Sequence, residues 1–160
     1  MTDKKLSHLD PSGQARMVDV SAKQPTERRA LARARVRMSQ PAFDIARKGD
    51  LKKGDLRATA ELAGVMAAKK TADLIPLCHP LMLNNVQVQV EWDQQLPGVT
   101  IQAEVQTTGR TGVEMEAMTA VAVTALTVYD MIKAVDRSAV IESIRLVEKH
   151  GGSSGDVVLE

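Results

Sequence analysis

Asp130 and Lys133 stand three residues apart in the run Leu126-Thr127-Val128-Tyr129-Asp130-Met131-Ile132-Lys133. The run is so apolar that an acid and an amine within it need a reason. On a helix, positions i and i+3 share a face. The spacing supports two readings equally: an intrahelical ion pair near a helix end, or a general acid/base pair in which each group shifts the other's proton affinity. Glu114 and Glu116 open the same helix. Thr111 and Glu114 have the spacing of a capping box, with Thr111 as N-cap and Glu114 at N3. That gives Glu114 a sufficient structural duty, whereas Glu116 has none. An α-helix would separate Glu116 from Asp130 by about 21 Å, too far for one small substrate to touch both in one chain. A site using both acids therefore needs two subunits.

Pro76-Leu77-Cys78-His79-Pro80 places a thiol and an imidazole between two prolines that restrict the backbone. Adjacent residues of an extended chain point in different directions, so Cys78 and His79 do not chelate one metal, and no other cysteine completes a zinc set. A lone cysteine usually packs as a small apolar group, and a lone histidine is usually structural. The proline frame makes His79 the better functional candidate of the two. Lys53, Lys133 and Lys149 are candidate ligands for phosphate or carboxylate. The glycine-bearing segments Thr107–Gly112 and His150–Gly155 could offer backbone N–H groups to an anion. Neither is a P-loop, since GxxxxGK[ST] does not occur.

These groups must be positioned by elements that the hydrophobic pattern outlines. Residues 29–38 alternate, with Ala30, Ala32, Ala34, Val36 and Met38 against Arg29, Arg33, Arg35 and Arg37, as in a half-buried strand. Residues 42–48 suit a short helix ended by Gly49. Asp55 is placed to cap a helix through about Lys69, with Leu56, Ala60, Ala63, Val65 and Met66 as apolar contacts. Gly64 and its alanine neighbours there allow a close approach. A short helical turn fits residues 71–75. Residues 83–92 and 99–107 alternate cleanly around Leu96-Pro97-Gly98, which predicts an antiparallel hairpin. A helix from Thr111 to about Val135 is apolar almost all round, so it needs cover on two sides, the second from another subunit. A last strand spans 140–149. The expected fold is α+β: a ferredoxin-like antiparallel sheet with helices packed on one face. Residues 1–27 form an N-terminal extended arm, and residues 28–160 form a single catalytic domain.

Composition narrows the function. The chain has 160 residues and a single cysteine, so no intrachain disulfide can form and secretion is not indicated. Neither a signal-peptide pattern nor an unbroken apolar run of about 18 residues is present, which predicts a soluble cytoplasmic protein. Aromatic residues make up 2% of the chain, which argues against stacking on single-stranded nucleic acid. The net charge of +1 hides a split. Residues 1–57 hold 14 Lys/Arg and 7 Asp/Glu, and residues 58–160 hold 7 and 13. Such a split signals a basic binding surface, mutually attracting parts of one fold, or only a solvated face.

Several ungapped blocks together resemble the cyclic pyranopterin monophosphate synthase family, the molybdenum cofactor biosynthesis protein C family. They are Met17-Val18-Asp19-Val20-Ser21, Lys53-Gly54-Asp55, Leu77-Cys78-His79-Pro80-Leu81, Thr111-Gly112-Val113-Glu114-Met115-Glu116-Ala117, Leu126 through Val135, and Lys149-His150-Gly151-Gly152-Ser153-Ser154-Gly155-Asp156. The resemblance runs from about Leu6 to Asp156. It implies a homohexamer, a trimer of dimers with sites at dimer interfaces. The substrate it implies is a cyclised GTP, 3′,8-cyclo-7,8-dihydroguanosine triphosphate, rearranged to cyclic pyranopterin monophosphate with release of pyrophosphate. It makes Asp130 the catalytic aspartate and Lys133 its partner. Leu77, Cys78, His79, Met115 and Glu116 become substrate-binding residues, joined by Glu114, Lys53, Lys149 and Arg28. Mg²⁺ accompanying the pyrophosphate is the one metal it brings in; the sequence contains no dedicated metal cage. Arg16 and Ser153 depart from the His and Lys of some members. A small-molecule regulatory module on the same sheet is the rival reading, and a nucleic-acid binder using the arginine strand is a weaker third.

Overall fold

The computed structural model describes residues 9, 10, 12–93 and 95–160; residues 1–8 and 11 of the predicted arm lie outside the described residues. Strand β1 (Thr26–Arg37) begins two residues before the expected domain boundary. It is followed by α1 (Gln40–Lys48), α2 (Leu56–Ala68), the single turn α3 (Thr71–Leu74), the hairpin β2 (Asn85–Asp93) and β3 (Gly98–Gly109), α4 (Glu114–Ile132), β4 (Val140–His150) and β5 (Val157–Val158). The strands form one sheet in the order β2-β3-β1-β4-β5, every neighbouring pair antiparallel. The fold is α+β, as expected, with β1 at the centre between β3 and β4.

The period-two pattern sorts the sheet into a dry and a wet face. Ala30, Ala32, Ala34 and Val36 of β1 join Val90 of β2 and Val99, Ile101, Ala103 and Val105 of β3 in the core. Small residues on β1 let α4 lie close to the sheet, and α4 packs on β1, β3 and β4 while α2 packs on β2 and α4. Phe43 and Trp92, two of the three aromatic residues, meet edge to face at 5.6 Å.

Four arginines of β1, Arg29, Arg33, Arg35 and Arg37, stand on the wet face, and each pairs with an acid from the later part of the chain. Arg29 meets Glu104 at 3.2 Å and Glu148 at 3.3 Å, Arg33 meets Glu160 at 3.0 Å, Arg35 meets Asp93 at 3.1 Å and Arg37 meets Glu142 at 2.9 Å. The charge split between the two parts of the sequence is thus met in part by pairs across the sheet.

Helix ends explain several boundaries. Pro41 occupies the first turn of α1, where its missing N–H costs nothing. Gly49 closes α1 at φ 79°. Asp55 caps α2, accepting from Arg57 N at 2.9 Å and Ala58 N at 3.1 Å. The capping box does not form. Thr111 and Gly112 stay in the preceding turn, Val113 is the N-cap without a side-chain bond, and Glu114 is the first helical residue.

On α2 the buried stripe is Leu56, Ala60, Gly64, Ala67 and Ala68, so Met66, expected inside, lies 52% exposed. Gly64 sits where α2 crosses α4; a Cβ there would lie 2.2 Å from Thr124 Oγ1. α4 is 19 residues long and apolar enough to span a membrane by length and composition, but ten of its residues are buried within this fold.

Candidate active site

The segment between α3 and β2 has no regular structure and depends on β3 for its course. Thr107 Oγ1 donates to Met82 O at 2.5 Å, Asn84 N donates to Gln106 O at 2.9 Å, and Thr108 N donates to Asn84 Oδ1 at 3.2 Å. This seats Leu77, Cys78 and His79 beside the N-terminus of α4. Together with Arg28, Glu114, Met115, Glu116 and Lys149 they line a cleft of about 330 Å³. Eight of the sequence-predicted site residues therefore share one cavity.

The cleft has an acidic and a cationic side. Glu116 is 4% exposed, and burial, reinforced by the charge of Glu114, pushes its carboxyl up to about 6. The Cys78 thiol is also pushed up, by burial first and then by Glu116. On the cationic side, Arg28 Nε is buried with no hydrogen-bond partner among the described residues. A buried guanidinium nitrogen in that condition is costly unless a ligand supplies an acceptor. Lys149 Nζ lies 3.7 Å from Glu114 Oε1 and donates to Ser154 Oγ, so Glu114 exchanges its expected capping duty for a cation contact. Lys23, Arg110, Val18 and Val20 line the same cleft and were not singled out from the sequence. Their only signal there was position, Val18 and Val20 within the Met17–Ser21 block and Lys23 and Arg110 beside matched segments.

Asp130, Lys133 and Lys53 form a separate cluster at the other end of α4. Asp130 Oδ1 lies 2.7 Å from Lys133 Nζ, and Asp130 Oδ2 lies 2.5 Å from Lys53 Nζ. Lys53 also donates to Asp130 O at 3.0 Å, which ties the turn before α2 to the end of α4. Hydrogen bonds from Lys133 and then Lys53 hold the Asp130 carboxyl down to about 2. All three side chains are about half exposed. None of them lines the cleft. Tyr129 turns away from the cluster, its hydroxyl donating to Arg137 O at 3.1 Å.

Among the described residues, no group of three or more His, Cys, Asp or Glu side chains converges as a metal site. A larger groove of about 580 Å³ lies on the wet face among Arg33, Arg35 and Arg145. Its three arginines are already paired with carboxylates, and none of the predicted site residues lines it.

Residues 17–152 match the model of the MoaC family. A cyclic pyranopterin monophosphate synthase of Brucella ovis is 57% identical over 152 residues, covering 95% of this chain and 92% of that protein. A protein of the same name from Nostoc sp. is 60% identical over 151 residues, covering 94% of this chain and 90% of its own length.

Proposed function

Because the chain belongs to the MoaC family, we propose that it is a lyase of molybdenum cofactor biosynthesis that converts (8S)-3′,8-cyclo-7,8-dihydroguanosine 5′-triphosphate to cyclic pyranopterin monophosphate and pyrophosphate. The observation that carries this reading is identity of 57–60% to synthases of that name over nearly the whole chain. The cleft is consistent with it. A triphosphate needs cations, and Arg28 and Lys149 stand together on one side of the cavity. The guanine-derived part would rest against Leu77, Cys78, His79 and Met115, an aliphatic and polar wall that recognises by hydrogen bonds rather than by ring stacking.

The rearrangement moves protons at several atoms, and the two carboxylates suit different parts of that task. Asp130 is an ionised acceptor between two ammonium donors, Lys133 and Lys53. Glu116, whose carboxyl is pushed up to about 6 by burial, can hold or release a proton inside the cleft. Closing the cyclic phosphate joins a hydroxyl oxygen to the α-phosphorus and expels pyrophosphate, whose charge the cationic side stabilises. Mg²⁺ would come with the phosphates: among the described residues the anion side of the cleft is built around Arg28 and Lys149, and its one carboxylate, Glu114, is held by Lys149.

The separation of the two clusters supports a composite site, in which Asp130, Lys133 and Lys53 of one subunit complete the cleft of another. Leu62, Met66 and Leu126 are exposed on α2 and α4, as an assembling surface would require. We read the assembly as a homohexamer, a trimer of dimers of ferredoxin-like domains, each with its N-terminal arm before β1, working in the cytoplasm.

Anaerobic incubation with the cyclised GTP tests the reaction. Pyrophosphate and a pterin product are expected. Binding without pyrophosphate release would replace the enzyme with a regulatory binding module.

A further inference from the structure

The cationic side of the cleft depends on the short loop that follows β4. After β4 the chain turns through Gly151 at φ 86° and Gly152 at φ 88°. Gly152 lies against the Arg28 guanidinium so closely that a Cβ would fall 1.6 Å from Nη1. Two residues on, Ser154 Oγ accepts from Lys149 Nζ, and Ser153 and Ser154 both line the cleft. Arg28 and Lys149 are therefore aimed by the course of residues 150–155.

One side chain closes that loop. Asp156 Oδ1 accepts from Gly151 N at 2.9 Å, and Asp156 Oδ2 lies 3.1 Å from His150 Nδ1. The other imidazole nitrogen, Nε2, lies 3.2 Å from Glu148 Oε2. Only the imidazolium can donate to both carboxylates at once. The remaining charged groups around it belong to β1 and β3: Arg29, opposite His150 in register, is paired with Glu148 and Glu104, and Glu27 and Arg28 lie beside Gly151. The two carboxylates outweigh Arg29, so the imidazole holds its proton above the ordinary histidine range, chiefly through Asp156.

We propose that Asp156 is a positioning residue for the anion-binding side of the cleft, acting through Gly151 and His150, and that the charged imidazole latches this loop in its binding course. The proposal rests on the cleft being the phosphate site. Loss of the His150 proton breaks one of the two carboxylate contacts, loosens residues 150–155, and removes the support behind Arg28 and Lys149. By linkage, an anion held by Arg28 and Lys149 must in turn tighten the proton on His150.

The test follows the His150 ring by NMR in the full-length protein, with and without saturating inorganic pyrophosphate, in the unaltered chain and in Asp156→Asn. Pyrophosphate is expected to move the His150 titration to higher pH in the unaltered chain, and the movement is expected to shrink to a small remainder in Asp156→Asn. Affinity for pyrophosphate, measured by calorimetry, should fall about tenfold in Asp156→Asn below the titration and by less above it. The ratio of the two affinities cancels the titration of pyrophosphate itself. No movement, or equal movement in both chains, overturns the latch, since an equal shift is only the direct field of the anion. Should Asp156→Asn fail to fold, the unaltered chain still decides: with the latch, pyrophosphate affinity falls at the pH where His150 titrates, and His150→Gln loses that step; an unchanged step overturns it. An Arg28→Gln chain that binds pyrophosphate as tightly as the unaltered one removes the phosphate reading of the cleft and the latch with it. Weakened binding in Arg28→Gln with no movement at His150 removes the latch alone.

Discussion

Glu116 and Asp130 share one helix and no surroundings. Glu116 is buried beside Cys78 in the cleft at the start of α4, and Asp130 lies exposed between Lys53 and Lys133 near its end. Fourteen positions of α-helix hold them about 21 Å apart. A rigid helix cannot bring both to one small molecule, so the reaction proposed above requires the two ends to come from different subunits.

Mixing two inactive chains checks that requirement. Glu116→Ala and Asp130→Asn proteins, each without activity alone, are expected to regain part of it when unfolded and reassembled together, because some sites then receive both intact ends. Complete inactivity of hybrids whose mixed composition is verified by native mass spectrometry would return the site to a single chain.

Asp130→Asn is expected to lower turnover about 10²- to 10⁴-fold, the usual contribution of a positioned acid/base group. Its half-exposed location predicts almost no change in melting temperature. Lys53→Ala should lower turnover too, and it frees the turn before α2 from Asp130 O. A melting temperature that collapses in Asp130→Asn would make the cluster a structural pin instead.

Glu116 sets a pH dependence of opposite sign to an ordinary paired acid. Its folded carboxyl titrates near 6, above its unfolded value, so the unfolded chain loses this proton first as pH rises. Stability is therefore expected to fall between about pH 4.5 and 6.5, and Glu116→Gln should remove that slope. At pH 7 the Gln variant should be more stable by about 1 kcal/mol, the full linkage value being reduced by water at the cleft mouth. Urea midpoints from pH 4 to 8 measure both curves.

Gly64→Ala tests the crossing of α2 and α4. Alanine gains about 1 kcal/mol of helix propensity. Its methyl, however, meets Thr124 Oγ1, Ala120 O at 3.1 Å and Val88 Cγ1 at 3.2 Å. Overpacking of this kind costs about 1–3 kcal/mol, so net destabilisation is expected, with partial recovery in the Gly64→Ala, Thr124→Ala double variant. Equal stability of Gly64→Ala and the unaltered chain would show that the helices can part.

Alternation makes the sheet legible in the sequence alone. Val86, Val88 and Val90 on β2, and Val99, Ile101, Ala103 and Val105 on β3, could face only one way once they paired. The Asp55 cap was equally legible, because its signal is local. What was missed depends on distant partners. Met66 is apolar but lies off the stripe that the Gly64–Thr124 crossing selects. Glu114 looked like a cap until Lys149, 35 residues on, drew it aside. The two-residue β5 was too short to show a period. Ser143, at φ 55°, lies where the β1–β4 register shifts, so apolar Ile144 is left 39% exposed. In the candidate site, residue types pointed to the acids and lysines, but only the fold separated Lys53, at Asp130, from Lys149, in the cleft.

The central place of β1 has a consequence for synthesis. Of the described strands it is the first to leave the ribosome, and its two neighbours, β3 and β4, are completed only at residues 109 and 150. Until then both of its backbone edges and its alanine-valine face are unpaired, the condition in which nascent chains join one another. Arg29, Arg33, Arg35 and Arg37 make that waiting strand strongly cationic, so two such strands repel when they align. Their acids arrive later in the same chain, and the repulsion ends only when the correct partners are in place.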